Sequence, residues 1–294
     1  MFRLAFIIMA YKEPKQLERM IYSLKGLDVD FYIHLDKKIN IESFIYLDKI
    51  ENVFFIKKRI KINWGTYSLT KGILSSLDEI RSIKISYSFY GIISGQDYPI
   101  NPIENLYQFL RNDPTVNLIQ FLPQGDPWYK EMESRIHNYS TNELNIIGKY
   151  KLELFLNTLF KKYRYKYPVK IYGGPGASFM ILSHDTAYYI VRFLKKERKL
   201  RFQLELTWGP DEFIFQTIIM NSPYREHVKE NLLYYVNWDS GGLHPKIFQN
   251  EDLVELIEKS QFLARKFDIN LDDKIFDLLD KRNKAIINQN VLFN

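Results

Sequence analysis

The sequence predicts an α/β fold with a mixed, mostly parallel central sheet flanked by helices. Short apolar runs alternate with segments of helical periodicity through the first third of the 294 residues, which is the pattern of parallel strands joined by helices. The composition agrees with a globular fold, because 46% of the residues are hydrophobic and only 26% are charged. Such a chain has enough apolar surface to build a large core.

The predicted elements follow in chain order. Strands are predicted at 4–9, 31–35, 53–56, 89–93, 118–122, 178–182 and 232–236. Helices are predicted at 14–24, 67–80, 151–167 and 188–194, where apolar residues recur three and four positions apart. Pro14 suits the first position of its helix, because the missing N–H is not needed there. The polar stretch 128–137 is predicted to be a surface loop.

The sequence contains no internal repeat, Ser/Gly linker or low-complexity tract that would mark a boundary. We therefore expect one domain over residues 1–268, followed by a charged, helical appendage over 269–294. No apolar run approaches the roughly 20 residues of a membrane-spanning helix, and we expect the first run to be a buried strand. The expected location is the cytoplasm. Peripheral contact with the inner face of the membrane is a second expectation.

Charge and cysteine content limit the function classes. The net charge of +6 and pI near 9.1 suit an anionic ligand, an anionic membrane surface or nucleic acid, and charge alone does not choose among them. Cysteine is absent, which excludes disulfides, thiolate zinc sites and cysteine nucleophiles. Residues 151–167 mix apolar and basic side chains, so they fit either a membrane-surface helix or an ordinary packed helix with a solvated basic end, the more frequent case.

Two carboxylates occupy the predicted first turn of a helix that begins at Pro210. In a structural interpretation, Asp211 and Glu212 complement the helix dipole, and Glu212 reaches back to the Gly209 amide. In a functional interpretation, a carboxylate at the mouth of a cleft takes a proton from an acceptor hydroxyl group. The local pattern alone favours the structural interpretation.

Three other segments carry residues suited to ligands. Gln96 and Asp97 follow a predicted strand, where open α/β sheets bind their ligands. Trp238 and Asp239 combine an aromatic face with a polar group, as sugar binding requires, although a tryptophan buried in a turn is the alternative. Arg265-Lys266 stands between apolar residues, and such anchored cations indicate a bound anion.

The sequence contains partial matches to metal-binding and phosphate-binding motifs, and their positions relative to the predicted strands decide how they are interpreted. The Asp28-Val29-Asp30 match to a manganese motif precedes a strand, so we discount it. His34 and Asp36 end a strand and are better placed for a nucleotide, but they do not complete a metal shell. The glycines at 173–176 precede a strand, whereas phosphate-binding glycine loops follow one. A Gly-x-Ser-x-Gly elbow is also absent, which gives a hydrolase little support.

Several segments, taken in order, resemble glycosyltransferase family 14. This family comprises the branching β-1,6-N-acetylglucosaminyltransferases of the core-2/I type and the peptide xylosyltransferases. The resemblance spans most of the chain. It rests on residues 31–37, Trp64-Gly65, 93–100, 176–180, Pro210-Asp211-Glu212, 236–238 and 262–267.

The resemblance implies a GT-A-like nucleotide-sugar transferase fold and an inverting mechanism that needs no metal or other cofactor. Glu212 would be the catalytic base, and fixed cations would hold the diphosphate in place of a metal. The residues implied on the nucleotide and diphosphate side are His34, Asp36, Trp64, Lys246, Arg265 and Lys266. Those implied on the sugar and acceptor side are Gln96, Asp97, Asp211, Trp238 and Asp239.

The expected partners are a UDP-sugar donor and a glycan or lipid-linked glycan acceptor, without nucleic acid. N-acetylglucosamine is the favoured donor sugar, because the branching half of the family uses it, and xylose is the alternative. The sequence lacks the cysteines and N-terminal anchor of animal members, which suggests a bacterial-type enzyme of surface-polysaccharide synthesis. Two rivals stay open: a metal-dependent GT-A transferase of another family, and a non-catalytic basic protein that binds anionic lipid or nucleic acid.

Overall fold

A computed structural model describes residues 2–26, 28–144, 146–163, 169–239 and 244–292. Within these residues two sheets form. The ten strands are β1 (Leu4–Ala10), β2 (Val29–Leu35), β3 (Val53–Phe55), β4 (Phe89–Ser94), β5 (Asp97–Pro99), β6 (Asn117–Ile119), β7 (Met180–Ser183), β8 (Val228–Glu230), β9 (Tyr234–Val236) and β10 (Leu263–Arg265). The ten α-helices are α1 (Pro14–Leu24), α2 (Ser68–Arg81), α3 (Ile103–Asn112), α4 (Pro127–His137), α5 (Lys149–Leu159), α6 (His184–Lys196), α7 (Arg198–Glu205), α8 (Ile214–Met220), α9 (Leu253–Ile257) and α10 (Lys274–Leu292).

The large sheet has the order β3-β2-β1-β4-β7-β6-β8. Its pairs β1–β2, β1–β4, β2–β3 and β6–β8 are parallel, whereas β7 runs antiparallel to both β4 and β6. The predicted mixed, mostly parallel sheet is therefore confirmed. Because β1, β2 and β4 are parallel, the segments that follow them emerge at one edge of the sheet, where ligands of such folds bind.

The central strands and the first helix follow from their sequence patterns. Every residue of β1 is buried, as expected for a parallel strand covered on both faces. Helix α1 has the predicted bounds and begins with Pro14. Its apolar side chains Leu17, Met20, Ile21 and Leu24 are fully buried, so one face of the helix packs into the core.

The small sheet gathers three distant segments in the order β5-β10-β9. Strand β10 is antiparallel to β5 and parallel to β9, and this register places Arg265 opposite both Asp97 and Val236. The loop after β4, the strand before Trp238 and the Arg265-Lys266 pair are therefore neighbours. The small sheet is the framework on which the predicted ligand segments meet.

Two predictions about local structure were wrong. Residues 128–137 lie in helix α4, which Asp126 caps by accepting a hydrogen bond of 2.9 Å from the Trp128 N–H. Trp128, Met132 and Ile136 are buried at intervals of four residues, a helical pattern that the polar neighbours obscured. The helix predicted from Pro210 is interrupted, because a short 3₁₀ turn covers Pro210–Glu212 and α8 starts at Ile214.

The C-terminal helix α10 shares the core of the protein. Ile275, Phe276 and Leu279 are fully buried. The Tyr98 hydroxyl donates a hydrogen bond of 2.7 Å to Asp280, and the Tyr98 and Phe276 rings lie 4.7 Å apart. The helix therefore supports β5 directly, while the boundary at residue 268 stays a prediction.

We expect Phe276→Ala to destabilise the protein by about 3–5 kcal/mol, because it leaves a cavity between α10 and β5. Chemical denaturation followed by circular dichroism measures this loss. Leu278→Ala is the matched control, since Leu278 lies on the same helix but is 38% exposed, and surface changes alter stability by about 0.5 kcal/mol. If Phe276→Ala lowers the stability by no more than the small loss expected for Leu278→Ala, the helix contributes little to the fold.

Candidate active site

The site is built around the buried carboxylate of Asp97, which has no exposed surface. Its Oδ2 atom accepts hydrogen bonds from the Ser94 N–H at 2.6 Å and the Tyr234 hydroxyl at 2.7 Å. The Arg265 Nε atom lies 3.7 Å from Oδ1. Burial raises the pKa of Asp97, and Arg265 opposes that rise. Asp97 therefore fixes Arg265 and presents no surface to a sugar.

Cations gather at this end of the small sheet. The Arg265 guanidinium lies 4.2 Å from the centre of the Phe179 ring, a cation–π contact that orients it. Burial lowers the pKa of the neighbouring Lys266 ammonium, and the charges of Arg265 and Lys12 lower it further. Crowded, partly desolvated cations repel one another, so a bound anion would be favourable here.

Lys12 belongs to this cluster and was not predicted. Its ammonium group is 2.5 Å from Asp268, and it lies two residues after β1 at the carboxyl edge of the sheet. This position directly after a parallel strand is the sequence feature that could have identified Lys12 as a candidate site residue.

Gln96 fastens the loop after β4 to the same segment. Its side-chain carbonyl accepts a hydrogen bond of 2.6 Å from the Tyr11 hydroxyl, and its side-chain amide donates to the Phe267 carbonyl at 3.3 Å. The Phe267 N–H donates to the Gln96 carbonyl at 2.9 Å. These bonds hold the loop beside the segment of Lys266 and Phe267, and a sugar contact of Gln96 stays a prediction.

Glu212 carries a carboxylate whose pKa suits proton transfer at neutral pH. Burial, followed by the charge of Asp211, raises the pKa of Glu212 to about 7, while Arg135 and Trp128 lower it. The Arg135 Nη1 atom donates a hydrogen bond of 2.8 Å to Glu212 Oε2. Arg135 lies on α4 and also pairs with Glu131. Sequence reasoning missed Arg135 because it placed this segment in a loop.

Close backbone packing holds the turn that carries Glu212. The Gly174 N–H donates a hydrogen bond of 2.9 Å to the Glu212 carbonyl. A Cβ atom at Gly173 would lie 2.2 Å from that carbonyl oxygen, so glycine is required for this approach. Burial raises the pKa of the neighbouring Asp211 carboxyl, and Ser178, which donates to it at 2.8 Å, lowers it. The glycine-rich segment therefore positions the carboxylates.

Ser178 and Phe179 join the two halves of the site. Ser178 binds Asp211, next to Glu212, and the adjacent Phe179 lies against Arg265. The Phe179 ring also packs 6.3 Å from Tyr234, which binds Asp97. Two consecutive residues thus contact both the carboxylate turn and the cation cluster.

A cleft of about 370 Å³ lies beside the carboxylate turn. Trp64, which is 64% exposed, meets Trp208 edge to face at 4.9 Å. Trp208 packs so closely on Gly65 that a Cβ atom there would lie 2.4 Å from the indole. Asn142, Glu143 and Lys149 form part of the opposite wall. Among the described residues the buried Glu143 Oε2 atom has no hydrogen-bond partner.

Two residues predicted for the nucleotide side, His34 and Asp36, hydrogen-bond to backbone N–H groups at the end of β2. His34 is fully buried, and its Nε2 atom accepts a hydrogen bond of 3.0 Å from the Ile60 N–H. Burial lowers the pKa of His34, so the ring is neutral and presents no surface to a nucleotide. The Asp36 carboxylate, almost buried, accepts hydrogen bonds from the Lys38 and Ile62 N–H groups at 2.9 and 3.3 Å.

The segment from Trp238 to Lys246 is only partly described, because residues 240–243 lie outside the described ranges. Trp238 and Asp239 are exposed. The Lys246 carbonyl accepts the Lys266 N–H at 3.3 Å, so its backbone adjoins the cation cluster. Its ammonium group, however, lies 2.5 Å from Asp252, and that contact raises its pKa. Lys246 therefore has a carboxylate partner of its own.

The described part of the chain contains no group of three or more His, Asp or Glu side chains arranged to hold a metal ion. Asp36, at the end of β2, accepts hydrogen bonds from backbone N–H groups and pairs with the Lys38 ammonium group.

Comparison with known proteins gives one family match. The model of the Core-2/I-Branching enzyme family matches residues 4–262. Xylosyltransferase 2 of Rattus norvegicus is 24% identical over 308 residues, which cover 95% of this chain and 33% of that protein. Xylosyltransferase oxt of Drosophila melanogaster is 24% identical over 295 residues, with 90% and 32% covered. The chain thus spans about a third of the length of these curated relatives.

Among solved structures, mouse xyloside xylosyltransferase 1 in its apo form aligns with a TM-score of 0.41 and 11% identity. The alignment covers 90% of this chain and 96% of that one.

Proposed function

Because the chain belongs to the Core-2/I-branching enzyme family, we propose that it transfers a sugar from a UDP-sugar to a hydroxyl group of a glycan acceptor. The observation that carries this proposal is the position of Glu212. Glu212, with a pKa of about 7, follows Asp211, which binds Ser178, and the next residue, Phe179, lies against Arg265. That arrangement supplies a base and an anion site to one reaction.

Glu212 is the proposed catalytic base. It takes the proton of the acceptor hydroxyl group, whose oxygen attacks the anomeric carbon of the donor sugar. The bond between that carbon and the β-phosphate oxygen breaks, and UDP leaves from the opposite face with the electron pair. One displacement of this kind inverts the configuration. The Arg135 hydrogen bond to Glu212 must give way to the acceptor hydroxyl.

Arg265 and Lys266 are the proposed diphosphate ligands, and Lys12 is added to them, which requires its ammonium group to leave Asp268. UDP leaves with extra negative charge on its β-phosphate, and fixed cations in a partly dry cleft stabilise that charge as it develops. This electrostatic role supports a reaction that does not require a divalent metal ion. Lys246 stays a proposed diphosphate ligand, which requires its ammonium group to leave Asp252.

The cleft between Trp64 and Trp208 is the proposed acceptor site. Aromatic faces suit the apolar face of a sugar ring, and the unpartnered Glu143 oxygen suits a sugar hydroxyl. Trp64, expected on the nucleotide side, borders this cleft and would contact both substrates. Trp238 and Asp239 stay proposed sugar contacts.

The donor sugar and the biological setting are further proposals. N-acetylglucosamine stays the favoured sugar, and the names of the curated relatives support xylose as the alternative. We propose a cytoplasmic enzyme of bacterial surface-polysaccharide synthesis that acts on a glycan or lipid-linked glycan. The absence of cysteine supports the reducing compartment.

We expect Glu212→Gln to lower sugar transfer by about 10²–10⁴-fold, because the amide cannot accept the proton. The assay measures UDP release from UDP-GlcNAc, UDP-xylose, UDP-galactose and UDP-glucose in turn, and calorimetry measures UDP affinity, which should not change. Glu131→Gln is the matched control, since Glu131 also pairs with Arg135. Near-wild-type turnover in Glu212→Gln would remove Glu212 from the proposed role.

We expect Lys266→Met to weaken UDP binding at least about tenfold, because a charge-assisted contact to phosphate is lost. Titration calorimetry with EDTA present measures the affinity, and wild-type turnover should persist in EDTA. Lys274→Met removes an exposed lysine nearby and should leave binding unchanged. If EDTA stops turnover, the metal-dependent alternative is correct.

We expect activity to fall about tenfold per pH unit below a pKa near 7, because the base must be ionised. Arg135 lowers the pKa of Glu212, so Arg135→Gln should move this acidic limb to higher pH. The dependence of kcat/KM on pH reports the free enzyme. Lys130→Gln, the loss of an exposed cation on the same helix, is the control. If the acidic limb of the pH profile does not move in Arg135→Gln, a group other than Glu212 sets that limb.

A further inference from the structure

Helix α5 exposes an apolar surface that the fold does not cover. None of its residues is buried. Tyr150, Leu154, Phe155 and Leu159 are 50–70% exposed, and Ile147, just before the helix, is fully exposed. We call these five residues the α5 face. Large exposed apolar patches on a folded protein usually mark an interaction site.

The inner side of the helix is attached by polar as well as apolar side chains. The Glu153 carboxylate accepts the Thr141 N–H at 2.7 Å, and the Asn157 side chain accepts the Tyr139 N–H at 2.7 Å. Leu152 and Leu156 are half-buried on this side. A surface helix normally turns its polar residues to solvent, whereas α5 leaves Tyr150, Leu154, Phe155 and Leu159 exposed.

Charge identifies the kind of surface that fits. Lys151 lies on the exposed side of α5 between Tyr150 and Leu154, and Lys161 is exposed just after the helix. The chain carries a net charge of +6. Apolar side chains interleaved with lysines are typical of helices that lie in the interface of an anionic bilayer.

We propose that the α5 face docks the protein on an anionic lipid bilayer. Its apolar side chains enter the headgroup boundary, and Lys151 and Lys161 contact lipid phosphates. The contact is peripheral, since no helix in the described ranges is long and apolar enough to cross a membrane. Lys149, the first residue of α5, also lines the cleft beside Trp64. If the proposed transfer is correct, docking brings this cleft to a lipid-linked acceptor.

The test is flotation of the full chain with vesicles of phosphatidylcholine alone or mixed equally with phosphatidylglycerol. We expect binding to the mixed vesicles only, and weaker binding in high salt. The double variant Leu154→Ser/Phe155→Ser should lower the partition coefficient about tenfold or more, since it lacks two apolar side chains that enter the bilayer in the docked state. Phe202→Ser is the matched control, because Phe202 on α7 is equally exposed at 66%.

Three results would overturn the proposal: no binding to mixed vesicles, the same loss in Phe202→Ser, or a dimer in sedimentation velocity that the double variant dissociates. The last result would assign the α5 face to a second copy of the chain. Circular dichroism of each variant checks folding. Vesicle binding is measured without donor or acceptor, so it stands or falls separately from the proposed transfer reaction.

Discussion

The buried contact between Asp97 and Arg265 is the interaction on which the rest of the site depends. A carboxylate without exposed surface needs partners, and Asp97 has them in Arg265, Tyr234 and Ser94. Removing one partner would leave an uncompensated buried charge, which costs more than the pair gains. The contact joins β5 to β10, where Arg265 stands opposite Asp97 and directly precedes Lys266.

Burial raises the pKa of both carboxyl groups in the site. For Asp97, the partners Arg265, Ser94 and Tyr234 oppose that rise, whereas for Glu212 the neighbouring Asp211 adds to it and the pKa reaches about 7. Ser178 and Phe179, just before β7, link the two regions, because Ser178 binds Asp211, next to Glu212, and Phe179 lies against Arg265.

Sequence patterns predicted the sheet and the bounds of α1, since each depends on local order along the chain. The missing parts depend on distant contacts. Arg135 reaches Glu212 only because α4 packs beside a turn 77 residues away. The pairing of Lys246 with Asp252 and the burial of His34 likewise follow from tertiary packing. No periodicity encodes which side of a strand end faces a ligand.

The order of the segments along the chain has a consequence for biosynthesis. All seven strands of the large sheet lie before residue 231, whereas Arg265, Lys266 and α10 come later. During vectorial synthesis the nascent chain can therefore form its main sheet while Asp97 still lacks its cation. Until β10 emerges, the loop after β4 must stay hydrated, because its carboxylate cannot be buried alone. The cation cluster is thus completed only after every strand of the large sheet has been synthesised.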